Sequence, residues 1–331
     1  MGPGLPHGSG PWAGGLRDGK GVFACRTLTL RQHACALSIS DTLSAAVSIG
    51  FHGLSFAVVL YLISVGLSVT MGLMGFVNLA HGVFAMAGGY ALTSLMSRWG
   101  APFVPALLAS AVTVALASIP IERLLYRRFY GGEELDQVLL TMGLVFMSVA
   151  GATYVWGPLQ QPLQPPPWLS GAIDLGVRSF PAYRSFLILC GAALVTALWL
   201  GIERTRFGAR VRASVNNLRM AQSVGIDTSR LFMTTFALGS GLAGLGGGLG
   251  ADLLAINPSY ALQNLAYFLI VVAVGGLGSI RGPFVAALLL GIADSGFKYL
   301  LPEFGAFFIY TLTMAILLWR PRGLLPPKST A

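Results

Sequence analysis

Asn78 and His81 stand three residues apart inside the apolar stretch GLSVTMGLMGFVNLAHGVFAMAGGY, residues 66–90, with Gly82, Gly88 and Gly89 close behind. Polar side chains in such surroundings are tolerated where a helix is interrupted against protein or lines a water-filled cavity. The chemistry open to them is hydrogen bonding, either to backbone groups freed by the interruption or to a polar solute. Zinc would need three or four ligands, and His81 stands alone. No HExxH occurs, and pairing Ser240 with His81 as nucleophile and base rests on residue type only. No catalytic residue is therefore assigned. No GxxxxGK[ST] stretch exists either, so any ATP that drives this chain binds to another subunit. The glycine run ALGSGLAGLGGGLG, residues 237–250, lacks the Lys-Ser or Lys-Thr pair of a phosphate loop; its small residues let membrane helices approach closely. Carriers coupled to protons or sodium place acids within their spans, and the candidates here are only Asp252 and Asp294.

A second concentration of polar residues is the stretch ERTRFGARVRASVNNLRMAQSVGIDTSR, residues 203–230. It carries Arg204, Arg206, Arg210, Arg212, Arg219 and Arg230 against Glu203 and Asp227. Lying between two membrane-length apolar runs, it should stay on the cytoplasmic side, because Lys and Arg near span ends resist translocation. Its second half reads as a short helix. Asn216 or Asn217 can cap it, Leu218, Met220, Ala221 and Val224 form an apolar side, and Gly225 ends it. Such a helix needs a surface to dock against. The alternative is a solvated connecting loop whose arginines set orientation and meet anionic lipid.

The elements that position these residues follow from composition. Of 331 residues, 55% are hydrophobic and 10% charged, against about 25% charged in soluble domains, and the mean hydropathy is +0.73. The fold class is an all-α polytopic membrane protein in contact with the lipid bilayer. The net charge of +9 gathers between apolar runs, as topology demands, so nucleic acid is not a partner. Cys25, Cys35 and Cys190 have no metal-ligand spacing, and Cys190 reads as a small core residue. Residues 1–43, Gly- and Pro-rich at the start, read as a disordered extension. Residues 44–326 form the membrane domain and 327–331 a tail. Apolar segments near 43–71, 73–97, 103–121, 138–156, 184–202, 231–255, 262–277, 284–297 and 304–319 give eight or nine transmembrane helices. The second is broken by its polar residues and glycines. Placing every basic loop inside puts the N-terminus outside, against its own charge, so either segment 73–97 does not cross fully or the tail is translocated. The interrupted stretches MGLMGFVNLAHG and GGLGSIRGP, one in each half, suggest a weak internal duplication.

The stretches at 66–90, QVLLTMGL at 137–144 with WGP at 156–158, RTRFGARVRASVNNLRMAQSVGID at 204–227, VGGLGSIRGP at 274–283 and RPRGLL at 320–325 together resemble the permease subunits of branched-chain amino acid ABC importers. The resemblance covers about residues 50–326. It implies a pore-forming subunit of the bacterial cytoplasmic membrane, with no cofactor of its own. The implied partners are a homologous second permease, two cytoplasmic ATP-binding subunits and a periplasmic solute-binding protein. It implies that a coupling helix at about 213–226 sits in a groove of the ATPase, with Ala221 and Gly225 at the closest contact and Arg212, Asn217, Met220 and Ile226 beside them. It also implies that Asn78, His81, Gly82, Gly278 and Ser279 border the translocation path. Many relatives carry an acid near Val215 or Asn216 and this chain has none. Related permeases serve branched-chain amino acids, urea and short amides; a stand-alone channel or secondary carrier is the alternative outside the family.

Overall fold

The computed structural model describes residues 39–174 and 179–325. The chain divides at Ala46, and Val47 opens the larger unit. In the first unit the described residues, from Ile39 on, are helical; the rest of the expected N-terminal extension, with Cys25 and Cys35, lies outside the described residues, as does the tail 327–331. Helices follow one another as α1 (Ile39–Met74), α2 (His81–Trp99), α3 (Phe103–Leu124), α4 (Glu134–Trp156), α5 (Ala182–Arg204), α6 (Arg206–Asn216), α7 (Leu218–Ser223), α8 (Thr228–Leu249), α9 (Tyr260–Gly275), α10 (Arg281–Leu300) and α11 (Gly305–Trp319). One small exception to the all-helical expectation joins α4 to α5. Strands β1 (Ala172–Asp174) and β2 (Ser179–Pro181) form an antiparallel hairpin in which Ile173 faces Phe180.

Six helices are long and apolar enough to cross a bilayer: α1, α3, α4, α5, α8 (with the turn to Asp252) and α10. Helix α9 and the apolar part of α11 are shorter. Helix α2 falls short on hydropathy because His81, Thr93, Ser94, Ser97 and Arg98 dilute its 19 residues. The molecule is a multi-pass helical membrane protein.

Two helices make the centre. The apolar window of α1 is 83% buried and that of α8 is 72% buried, against 11% for α5. Burial all round requires small residues on every side of α8, and its glycines supply them. Gly239 packs on Gly66 of α1, Gly244 on Gly88 of α2 and Val114 of α3, and Gly247 on Ala85 of α2. At these contacts a Cβ would meet backbone or a stiff branched side chain, so the glycine run is a packing device, as expected from sequence. Gly88 serves the same end within an uninterrupted α2, so the expectation that it and Gly89 help to break the helix is corrected. The interruption lies ahead of α2, at residues 75–80, where Gly75 takes φ +58°.

The two ends of the bundle differ in charge. The basic end holds Met74, the 3₁₀ turn Tyr126–Phe129, α6, α7 and the start of α10; the other end holds the hairpin and the Pro-rich segment before it. Phe51 of α1 packs at a tilt against Phe180 of the hairpin at 4.3 Å between centroids, while Tyr130 reaches Met74 at the helix's far end at 3.5 Å. Helix α2 returns towards the hairpin end, where Ser94 accepts the Trp156 indole N–H at 2.8 Å. Helices α1 and α2 are thus antiparallel.

Candidate functional site

Residues 75–80 leave α1 at the basic end and climb back along it before helix resumes at His81. Asn78 fixes that path. Its Oδ1 accepts the Ala80 amide at 3.1 Å and the Tyr126 hydroxyl at 3.0 Å, and Val77 donates its amide to Gln137 at 3.0 Å. Burial pushes the Tyr126 phenol well above its ordinary range, so it remains a donor. With Oδ1 doubly engaged, the side-chain amide of Asn78 is oriented, and its Nδ2 donor is left unpartnered at 2% exposure. His81, 1% exposed, places Nε2 3.1 Å from the carbonyl of Ile63 on α1. A carbonyl only accepts, so Nε2 carries the hydrogen and the unpartnered Nδ1 is an acceptor. One free donor and one free acceptor therefore lie at the entrance to α2. Ser240 has no hydrogen-bond partner, so no Ser–His couple exists.

Gly82 lets a second helix start here. A Cβ on it would lie 3.3 Å from Cα and O of Ala261. The first turns of α2 and α9 are in contact, and the helices leave in opposite directions, α2 towards the hairpin end and α9 towards the basic end. Neither N-terminus has a side-chain cap, so the partial positive charges of both helices meet here; the hydroxyl of Tyr260, in the first turn of α9, is buried and unpartnered.

The predicted coupling segment folds largely as its sequence suggested. Asn217 caps α7 by accepting the Met220 amide at 3.0 Å. Its end is a Schellman motif: the Ile226 amide bonds Ala221 O at 3.1 Å, the Gly225 amide bonds Gln222 O at 3.0 Å, and Gly225 takes φ +85°. Within this chain the two small residues of the segment sit differently. Ala221 is 3% exposed and faces its own chain, and Gly225 is there for its left-handed backbone, with nothing within 4 Å of a built Cβ. Exposed apolar surface comes instead from Met220, 61% exposed, and Val224, 70% exposed. Arg212 binds the carbonyl of Ile202 at the end of α5, which fixes the segment's seat, and Ile226 is half-buried beside it. Helix α6 was missed, although Thr205 caps it by accepting the Gly208 amide at 3.2 Å and Phe207, Val211 and Ser214 or Val215 recur at helical spacing. The density of arginine hid that period.

Gly278 and Ser279 lie in a different place from Asn78 and His81. They form the turn between α9 and α10, at the basic end. The Gly278 amide donates to Ser68 O at 3.0 Å, the Ser68 hydroxyl to Ser279 O at 2.9 Å, and the Ser279 hydroxyl accepts the Gly282 amide at 3.0 Å. A Cβ on Gly278 would sit 3.0 Å from Val215 of α6. This turn therefore touches both the coupling segment and α1. The C-terminal stretch pins it from behind, with the Leu324 amide on Val274 O at 2.7 Å. Of the two acids singled out, Asp252 is exposed at the hairpin end, and Asp294 is buried and paired with Lys298 at 2.6 Å. Among the described residues no three His, Cys, Asp or Glu side chains are grouped as for a metal ion.

The chain was compared with known proteins. Residues 49–317 match the family model described as branched-chain amino acid transport system, permease component. The BraD permease protein of a high-affinity branched-chain amino acid transport system in Pseudomonas aeruginosa is 29% identical, covering 83% of this chain and 94% of its own. The LivH counterpart of Escherichia coli is 27% identical with the same coverage. The LivM permease protein of Salmonella typhimurium is 26% identical, over 80% of this chain and 67% of its own. No solved structure matches. The family match runs from α1 into α11 and takes in the α2 entrance, the capped α6–α7 segment and the α9–α10 turn alike, so this chain belongs to the branched-chain amino acid transport system permease family.

Proposed function

We propose that the chain is the membrane-spanning subunit of an ATP-driven importer in the bacterial inner membrane, carrying branched-chain or closely related amino acids into the cytoplasm. The observation that carries this reading is the continuity between the coupling segment and the core. An ATPase pressing on Met220 and Val224 pushes α7 and, through Val215, the Gly278 turn, which is hydrogen-bonded to Ser68 of the most buried helix. A force applied at α7 passes the break at Asn217 to α6 and reaches α1 through Val215 and the Gly278 turn. The solute passes beside the α2–α9 junction, where Asn78 Nδ2 offers a donor, His81 Nδ1 an acceptor and two helix N-termini favour a carboxylate. Binding by neutral groups alone is weak, which suits a path that must release what it takes.

Counting the short α2, α9 and α11 with the six long helices gives nine crossings, an outer start at Phe51 and an inner end after α11. That count reconciles the basic loops with one side. LivH and LivM relatives of the same chain point to a second, homologous permease as its companion; the ATP-binding subunits and a periplasmic solute-binding protein complete the assembly. The experiment is co-purification: Met220→Asp with Val224→Asp should reach the membrane in normal amount and lose the ATPase. Undiminished ATPase in the purified double variant would contradict the docking.

A further inference from the structure

Two clefts open at the basic end on either side of the Asp227–Arg230 ion pair. One, of about 510 Å³, is bordered by Val224 and Gly225 of the coupling segment. The other, of about 230 Å³, lies between the last turn of α3 and the first turn of α8 and carries Arg123, Arg127 and Arg230. Both carboxylates in the second cleft are committed. Glu122 is 2% exposed and accepts the Tyr130 hydroxyl at 2.8 Å. Asp227 accepts the Arg230 amide at 3.0 Å and pairs with its guanidinium at 3.0 Å. The arginines have capacity to spare. Arg123 directs Nε to the Met233 sulfur at 3.2 Å, a weak acceptor, and Arg127 makes no ion pair among the described residues. The N-terminus of α8 adds partial positive charge. Free guanidinium groups beside spoken-for carboxylates are complemented by an anion.

We propose that this cleft receives a carboxylate side chain of the ATPase, giving the coupling segment's apolar contact an ionic companion. The proposal rests on the docking reading above and adds the chemistry of the partner's surface. A protein occupant is favoured over lipid because the two clefts share Asp227 and Arg230: a partner seated on Met220 and Val224 reaches the arginines without leaving the surface.

The test uses the assembled complex, with tagged chain, companion permease and ATPase co-expressed, and reads the ATPase retained after a salt wash. Arg123→Glu with Arg127→Glu should lower retention about tenfold or more, and the paired lysine variants should keep most of it. Arg128→Glu, an exposed neighbour outside the cleft, should change little. Arg127→Ala, at an exposed side chain without an ion pair among the described residues, should by itself lower retention and weaken its dependence on salt. Wild-type retention in both Arg127→Ala and the double variant, or equal losses from Arg128→Glu, would overturn the proposal and leave docking on Met220 and Val224 standing. A wild-type chain that retains no ATPase would remove both readings together. In vesicles of phosphatidylcholine with and without phosphatidylglycerol the defect should be the same; a defect seen only with phosphatidylglycerol would make the cleft a lipid site and overturn the proposal.

Discussion

Asn78 shows how one side chain can hold a non-helical segment inside an apolar bundle. Its Oδ1 takes two donors, one from its own turn and one from Tyr126 in the next loop, and with the Val77 amide on Gln137 this sets the path of residues 75–80. Tyr126→Phe removes one of these bonds without opening a cavity and should lower stability by about 1 kcal/mol. The check is the unfolding temperature of the purified complex; an unchanged value would mean that Asn78 does not need the hydroxyl. At Gly225 the argument is conformational. Gly225→Val forces a branched residue into φ +85° and should cost about 1–2 kcal/mol locally, unwinding the end of α7 and reducing ATPase retention. Gly225→Asn, which tolerates the left-handed region, should retain most of it. Similar losses in both variants would show that bulk, and not backbone conformation, matters there.

At the scale of elements, the glycines of α8 set how closely α1, α2 and α3 can gather. Gly88→Leu places a side chain on the backbone of Gly244 and should abolish the monodisperse peak in size-exclusion chromatography, whereas Gly143→Leu on α4, with nothing within 4 Å, should leave it intact. Equal behaviour of the two would contradict the packing. Helix positions were legible in the sequence because a membrane span is a long apolar run, and ends fell close to Pro, Gly and charged residues. Cap and stop signals around Asn217 and Gly225 were legible too, because each is chemistry local to a few residues. Three things were not. Helix α6 was hidden under arginines; the contact of α2 with α9 joins residues far apart in sequence; and Ala221, small and apolar, gives no sign of which way it faces. The resemblance names Gly278 and Ser279 together with Asn78, and the fold places their turn beside Ser68 and Val215, away from Asn78.

Across the whole molecule, the proposed function asks for a connection between the exposed face of α7 and the buried helix α1. Its mechanical link is short: Val215, Gly278, Ser68 and then α1, with the Glu203–Arg281 ion pair at 2.7 Å holding the ends of α5 and α10 together alongside. Of the titratable groups placed within the bundle, Asp294 pairs with Lys298 through one oxygen, Asp252 is exposed, and His81 keeps an unpartnered Nδ1. The most direct test is uptake of labelled leucine into proteoliposomes containing this chain with its companion permease, with and without the ATPase subunits, the binding protein being supplied outside. Uptake should require both the ATPase and enclosed ATP, and should fall to the level of empty vesicles with the Met220→Asp, Val224→Asp double variant. Leucine uptake by the chain alone, driven by a proton or sodium gradient and indifferent to ATP, would contradict the account at its centre.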